Sequence, residues 1–180
     1  MNRINLLIGG FIYIYIATSD MIKNLAEKDL VNYIKYRGVS LTERGKLAAK
    51  MIVRKHRLWE VFLVEKLDFS WDEVHDIAEQ LEHIKSEQLI NKLDDFLGNP
   101  TTDPHGDPIP SRDGQILKID KQLLSELSAN QKGICFGVKD TSSEFLKYLD
   151  KQKIALGSKI EVLGKESFDL SFKLRWTVQF

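Results

Sequence analysis

The sequence predicts a mainly α fold with a small β part, and three observations carry that reading. All four prolines fall within eleven residues, from Pro100 to Pro110, in a stretch that also holds Gly98, Gly106 and Gly114. Such a run cannot be helix or central strand, so it reads as an ordered loop or linker dividing the chain. Upstream of it apolar residues recur at helical spacing, and downstream the apolar runs are short and strand-like.

Taken in order, Thr18 or Ser19 can cap a first helix reaching about Lys28, with Met21, Ile22 and Leu25 at helical spacing. Leu30 to Leu41 alternates like a short hairpin turning at Arg37-Gly38. A helix followed by a basic hairpin is the tail end of a winged helix. Thr42-Glu-Arg-Gly opens a long helix to about Lys66, striped by Leu47, Met51, Leu58, Phe62 and Leu63. Ser70, with Glu73 three residues on, is placed to cap a further helix running to about Leu97. Its apolar positions Val74, Ile77, Leu81, Ile84, Leu89, Ile90 and Leu93 need a covering surface, which is expected to be a second copy of the chain. Beyond the prolines, strand-like Gly133 to Val138 and Lys159 to Leu163 flank a helical Ser143 to Leu149, the pattern of a small β-barrel with one short helix.

The net charge of zero hides a segregation. Residues 1–60 hold 11 Lys/Arg against 5 Asp/Glu, a balance of +6, whereas residues 61–100 hold 3 against 10, a balance of −7. The first part suits a polyanion and the second suits cations, although charged helix faces of differing sign would give the same count. The single cysteine, Cys135, excludes an internal disulfide framework and a multi-cysteine zinc site, and points to a reducing cytoplasm. The apolar run Ile4 to Ala17 is too short to span a bilayer, which takes about 20 residues, and it shows no clear signal-peptide cleavage pattern.

Three of the four histidines lie between residues 56 and 83, each with carboxylates at helical spacing. His56 and Glu60 stand four apart, on one helix face; His75, Glu79, Glu82 and His83 form a second stripe. Two such stripes facing one another would offer imidazole nitrogen and carboxylate oxygen, a donor set that suits Mn(II), Fe(II), Co(II) or Zn(II). Solvated helix faces would carry the same residues, and a metalloenzyme could use the same ligands. Against catalysis, no separate nucleophile or general base accompanies them in sequence. His105, in the proline-rich loop, reads as a turn residue.

Arg54-Lys-His-Arg-Leu-Trp-Glu60, Val74-His-Asp-Ile-Ala-Glu-Gln-Leu-Glu-His83 and Asp103-Pro-His-Gly-Asp-Pro-Ile-Pro110 resemble three consecutive signatures of the diphtheria toxin repressor and manganese transport regulator family, at the family's own separations. The resemblance implies a partial winged-helix DNA-binding domain over residues 1–45, a helical metal-binding and dimerisation domain over 46–98, a proline-rich linker over 99–115 and an incomplete SH3-like, FeoA-type domain over 116–180. It also implies a metal-dependent transcriptional repressor of metal-uptake genes, not an enzyme, acting as a homodimer on double-stranded operator DNA in the cytoplasm. His56, Glu60 and His75 match the family's ancillary site, with His56 shared into the manganese-type site. Glu79, Glu82 and His83 match the primary site. Iron-responsive members carry cysteine where this chain has Glu79, so the expected ion is Mn(II), ahead of Fe(II), Co(II) or Zn(II). Ser19, Asp20 and Lys23 fall at the start of the recognition helix, and Lys35, Tyr36 and Arg37 on the wing.

Two departures accompany the resemblance. Residues before Ser19 are apolar and offer no counterpart of the ligand that family members donate from their first helix, so the first two DNA-binding helices are expected to be replaced or lost. At the other end, the Glu and Gln that some members add to the ancillary site have no recognisable counterparts; Cys135 and Val138 lie near those positions. A metal-binding dimer that has lost specific DNA binding is the alternative that these departures keep open.

Overall fold

A computed structural model describes residues 20–34 and 37–177. The fold is mainly helical with two small antiparallel sheets, and it divides into one unit over residues 1–52 and another over 53–180.

In the first unit, helix α1 occupies 20–27. It ends where Asp29 turns left-handed (φ 57°) and Leu30 N–H returns to the Leu25 carbonyl. Strands β1 (Val31–Ile34) and β2 (Gly38–Leu41) then pair as the expected hairpin, Val31 opposite Leu41 and Ile34 opposite Gly38. Thr42 starts helix α2 (Glu43–Leu67): its hydroxyl accepts from Gly45 N–H at 2.9 Å and donates to the Asp29 carbonyl at 2.7 Å. Only glycine fits at Gly45, because a β-carbon there would lie 1.9 Å from the Leu30 carbonyl oxygen.

The second unit is built on the later turns of α2. Leu58, Trp59, Val61 and Leu63 form one core with Val74 and Ala78 of α3 (Val74–Leu81), Ile90 and Leu93 of α4 (Glu87–Phe96), and Ile109. The single helix expected from Ser70 to Leu97 is in fact two. Ser86 adopts an extended backbone (φ −80°, ψ 99°) and caps α4 by accepting from Leu89 N–H, with Glu87 complementing the first turn, so the chain re-aims Ile90 and Leu93 into the core. Ser70 likewise is not the cap of α3: Glu73 holds that position and the Ser70 hydroxyl bonds its carboxylate. The apolar stripe assigned to a partner copy is also partly corrected. Val74, Ile90 and Leu93 are consumed by the chain's own core, leaving Leu89 and Phe96 exposed in this region.

The proline-rich segment is ordered, with Ile109 and Pro110 buried. Arg54, itself buried, reaches the Pro110 carbonyl at 3.1 Å and Asp94 at 2.8 Å. Beyond it, β3 (Lys132–Ile134), β4 (Lys159–Lys165) and β5 (Phe172–Thr177) form an antiparallel sheet in the order β3-β4-β5, and α5 (Ser143–Lys151) contributes buried Leu146 and Leu149. This is the SH3-like part of the fold. No helix among the described residues is long and apolar enough to cross a membrane.

Candidate metal centre

Helix α2 presents His56 and Glu60 one turn apart, and α3 presents His75 to them. Leu58 and Val61 of α2 share one core with Val74 and Ala78 of α3, and that packing brings His75 beside His56 and Glu60. The His56 Nε2 atom lies 3.1 Å from Glu60 Oε1 and 3.2 Å from His75 Nδ1, and His75 Nδ1 lies 3.5 Å from Glu60 Oε1. Cis ligands about 2.1 Å from a first-row ion stand about 3 Å apart, so this triangle of two imidazoles and a carboxylate fits one.

Glu60 is 2% exposed. Burial opposes its ionisation, but the hydrogen bond from His56 and the nearby charges of His56, His105 and His75 hold its pKa below the ordinary value. The hydrogen bond to Glu60 in turn raises the His56 pKa against the effect of burial, and Glu82, 2.8 Å from Nδ1, adds to it. Both ring nitrogens of His56 therefore face carboxylates; an ion taken at Nε2 would have to displace a proton there, and Glu82 would keep the ring oriented.

The other oxygen of Glu60 faces a second group. His105 Nδ1 is 3.8 Å from Glu60 Oε2 and 4.0 Å from Asp103 Oδ1, and all three residues are buried. His105 Nε2 donates to the Trp71 carbonyl at 2.8 Å. The Asp103 carboxylate is built into its own turn, Oδ1 accepting from His105 N–H and Asp107 N–H at 2.9 Å each, while Oδ2 meets Arg57 at 3.3 Å. Burial, then the charge of Glu60, raises the Asp103 pKa. His105 is thus no mere turn residue. An Asp-X-His spacing in a loop has no periodicity by which sequence could align it with a helix more than thirty-five residues before it, and only the fold brings it to Glu60.

A family model described as "Iron dependent repressor, metal binding and dimerisation domain" matches residues 42–111. Among solved structures, a manganese-dependent transcriptional repressor in complex with manganese is 37% identical, with a TM-score of 0.76 over 89% of this chain and 78% of that one. The chain belongs to the diphtheria toxin repressor family of metal-dependent transcriptional repressors. Within the family, the iron-dependent repressor IdeR of Mycobacterium tuberculosis is 39% identical over 92 residues, 51% of this chain and 40% of that protein. A "probable metal transport system membrane protein" of Chlamydia trachomatis is 43% identical over 88 residues, 49% of this chain and 19% of that protein. The chain therefore spans two fifths or less of these curated relatives.

Of the residues that the family resemblance singles out, the structure gathers His56, Glu60 and His75 into one group and adds Glu82 as the Nδ1 partner of His56. Glu79 and His83 are exposed on and just after α3, and among the described residues neither joins a group of three donors. The DNA-facing candidates are only partly visible: Ser19, Lys35 and Tyr36 lie outside the described residues. Lys23 pairs with Asp20 at 3.2 Å on the exposed side of α1, and Arg37 is exposed at the hairpin turn.

Proposed function

We propose that this chain is a metal-sensing transcriptional regulator, not an enzyme, which takes Mn(II) and, as a cytoplasmic homodimer, represses metal-uptake genes by binding operator DNA. The observation that carries the reading is the triangle of His56, Glu60 and His75, whose donors already stand at the spacing of ligands on one ion. Glu79, Glu82 and His83 would supply the primary position, and Glu60, Asp103 and His105 a further one sharing the Glu60 carboxylate. The mixed nitrogen and oxygen set, without thiolate, suits Mn(II), Fe(II), Co(II) or Zn(II), and Glu79, where iron-responsive members carry cysteine, makes Mn(II) the expected ion among them. The ion would supply a fixed dication joining α2 to α3 and to the proline-rich loop.

In this reading the domains are a partial winged helix (1–45), the helical metal-binding and dimerisation region (46–98), the linker (99–115) and the SH3-like part (116–180). Asp20, Lys23 and Arg37, together with Ser19, Lys35 and Tyr36, would face DNA. Basic contacts to phosphates would give most of the affinity. A mobility-shift titration on DNA upstream of metal-uptake genes, with and without Mn(II), tests the proposal in parallel with calorimetry. Mn(II)-dependent retention is expected. Metal binding without retention would identify a metal-binding dimer lacking specific DNA recognition, and absence of both would refute the reading.

A further inference from the structure

We propose that Trp71 is a positioning residue that ties the His105 ligand to helix α5, so that ion binding at Glu60, Asp103 and His105 and the docking of α5 support one another. The proposal rests on the reading of those three residues as an ion position. A carbonyl oxygen can only accept, so the 2.8 Å bond from His105 Nε2 to the Trp71 carbonyl holds a proton on Nε2 and leaves Nδ1, which faces Glu60 and Asp103, as the nitrogen that would take an ion. The Trp71 indole lies nearly parallel to the same imidazole, with an interplanar angle of 10° and centroids 6.1 Å apart.

What holds Trp71 is α5. The indole N–H donates to both carboxylate oxygens of Asp150, at 3.1 and 3.0 Å. The adjoining Asp72 accepts from the Ser143 hydroxyl at 3.1 Å and pairs with Lys147 at 3.3 Å. Three residues on successive turns of α5 therefore clamp the two-residue segment whose carbonyl sets the His105 tautomer. The backbone of the same residue is also held, because Val138 N–H donates to the His105 backbone carbonyl at 2.9 Å. Because coupling between two equilibria is reciprocal, whatever loosens α5 weakens the ion, and the ion tightens α5.

The test is Mn(II) titration of the full chain by calorimetry and tryptophan fluorescence, comparing wild type with Trp71→Phe, Asp150→Ala, Asp150→Asn, His75→Ala and His105→Ala. Asp150→Ala and Trp71→Phe should weaken the equivalent that His105→Ala abolishes by about tenfold, the lower end of the cost of removing an outer partner of a ligand. Both should leave the equivalent that His75→Ala abolishes unchanged. Asp150→Asn keeps an oxygen acceptor for the indole and should restore binding, which a general loss of stability would not allow. The fluorescence change of Trp71 should follow the His105 equivalent alone. Unchanged affinity in Asp150→Ala, or equal weakening of both equivalents, overturns the proposal. If Trp71→Phe fails to fold, the Asp150 pair decides. Should His105→Ala bind as wild type does, the ion position itself is wrong, an outcome distinct from a failure of the Trp71 link.

Discussion

Glu60→Gln is the most informative single change, because one side chain serves both donor groups. The carboxylate is 2% exposed, with Oε1 3.1 Å from His56 Nε2 and Oε2 3.8 Å from His105 Nδ1. Glutamine keeps the shape and one oxygen but removes the charge. In the metal-free protein the lost interaction is a buried charge-assisted hydrogen bond, worth about 1.5–3 kcal/mol, and relief from burying a carboxylate returns part of it, so stability should fall by about 1–2 kcal/mol. Metal affinity should fall much further. Removing an outer partner of a ligand costs about 10–100-fold, and Glu60 would be a direct anionic ligand, so a loss above about 100-fold, at least about 2.8 kcal/mol, is expected at each position it serves. Calorimetry with Mn(II) gives the affinities and urea unfolding gives the stability. The pattern is diagnostic: Glu60→Gln should abolish at once the two equivalents that His75→Ala and His105→Ala remove separately. Retention of either equivalent within a few-fold of wild type would refute the shared-carboxylate arrangement.

Arg54→Met should leave Asp94 buried with only the 3.4 Å contact of Arg112 to balance it, and destabilise the second unit by about 3 kcal/mol in urea unfolding. Gly106→Ala places a β-carbon 2.1 Å from the Phe136 carbonyl oxygen at a φ of 86°, so the loop must move; a lowered Tm and selective loss of the His105 equivalent are expected in the same titration. Asp72 has its pKa lowered first by the Ser70 hydroxyl, against burial, and then by Lys147 and Ser143. Its contribution is therefore present above the ordinary aspartate value of about 3.9 and lost as pH falls through the lower folded value, so the stability gap between wild type and Asp72→Asn should close on acidification. His56 has its pKa raised, chiefly by Glu60, so Mn(II) must displace a proton there; as pH is lowered, affinity should begin to fall while the pH is still above the ordinary histidine value of about 6.5, and it should be strongest at higher pH.

Much of this molecule is written locally. The hairpin at residues 31–41 follows from alternation and Gly38, the start of α2 from Thr42, and the pairing of His56 with Glu60 from a spacing of one helical turn. What sequence could not supply is anything that depends on two segments meeting without a common period. The break between α3 and α4 turns on Ser86 acting as a cap, which competes with a helical pattern that runs straight through it, and burial of Ile90 and Leu93 against α2 decides the contest. His105 and Asp103 sit in a loop whose prolines and glycines say only that it is not helix. The Asp103 turn is local, but its place beside Glu60 is set by the bond to the Trp71 carbonyl and the burial of Ile109 and Pro110, which depend on residues distant in the chain. Periodicity determines which face of a helix a side chain occupies, whereas Asp103 and His105 come from a loop, and where that loop lies is decided by tertiary packing.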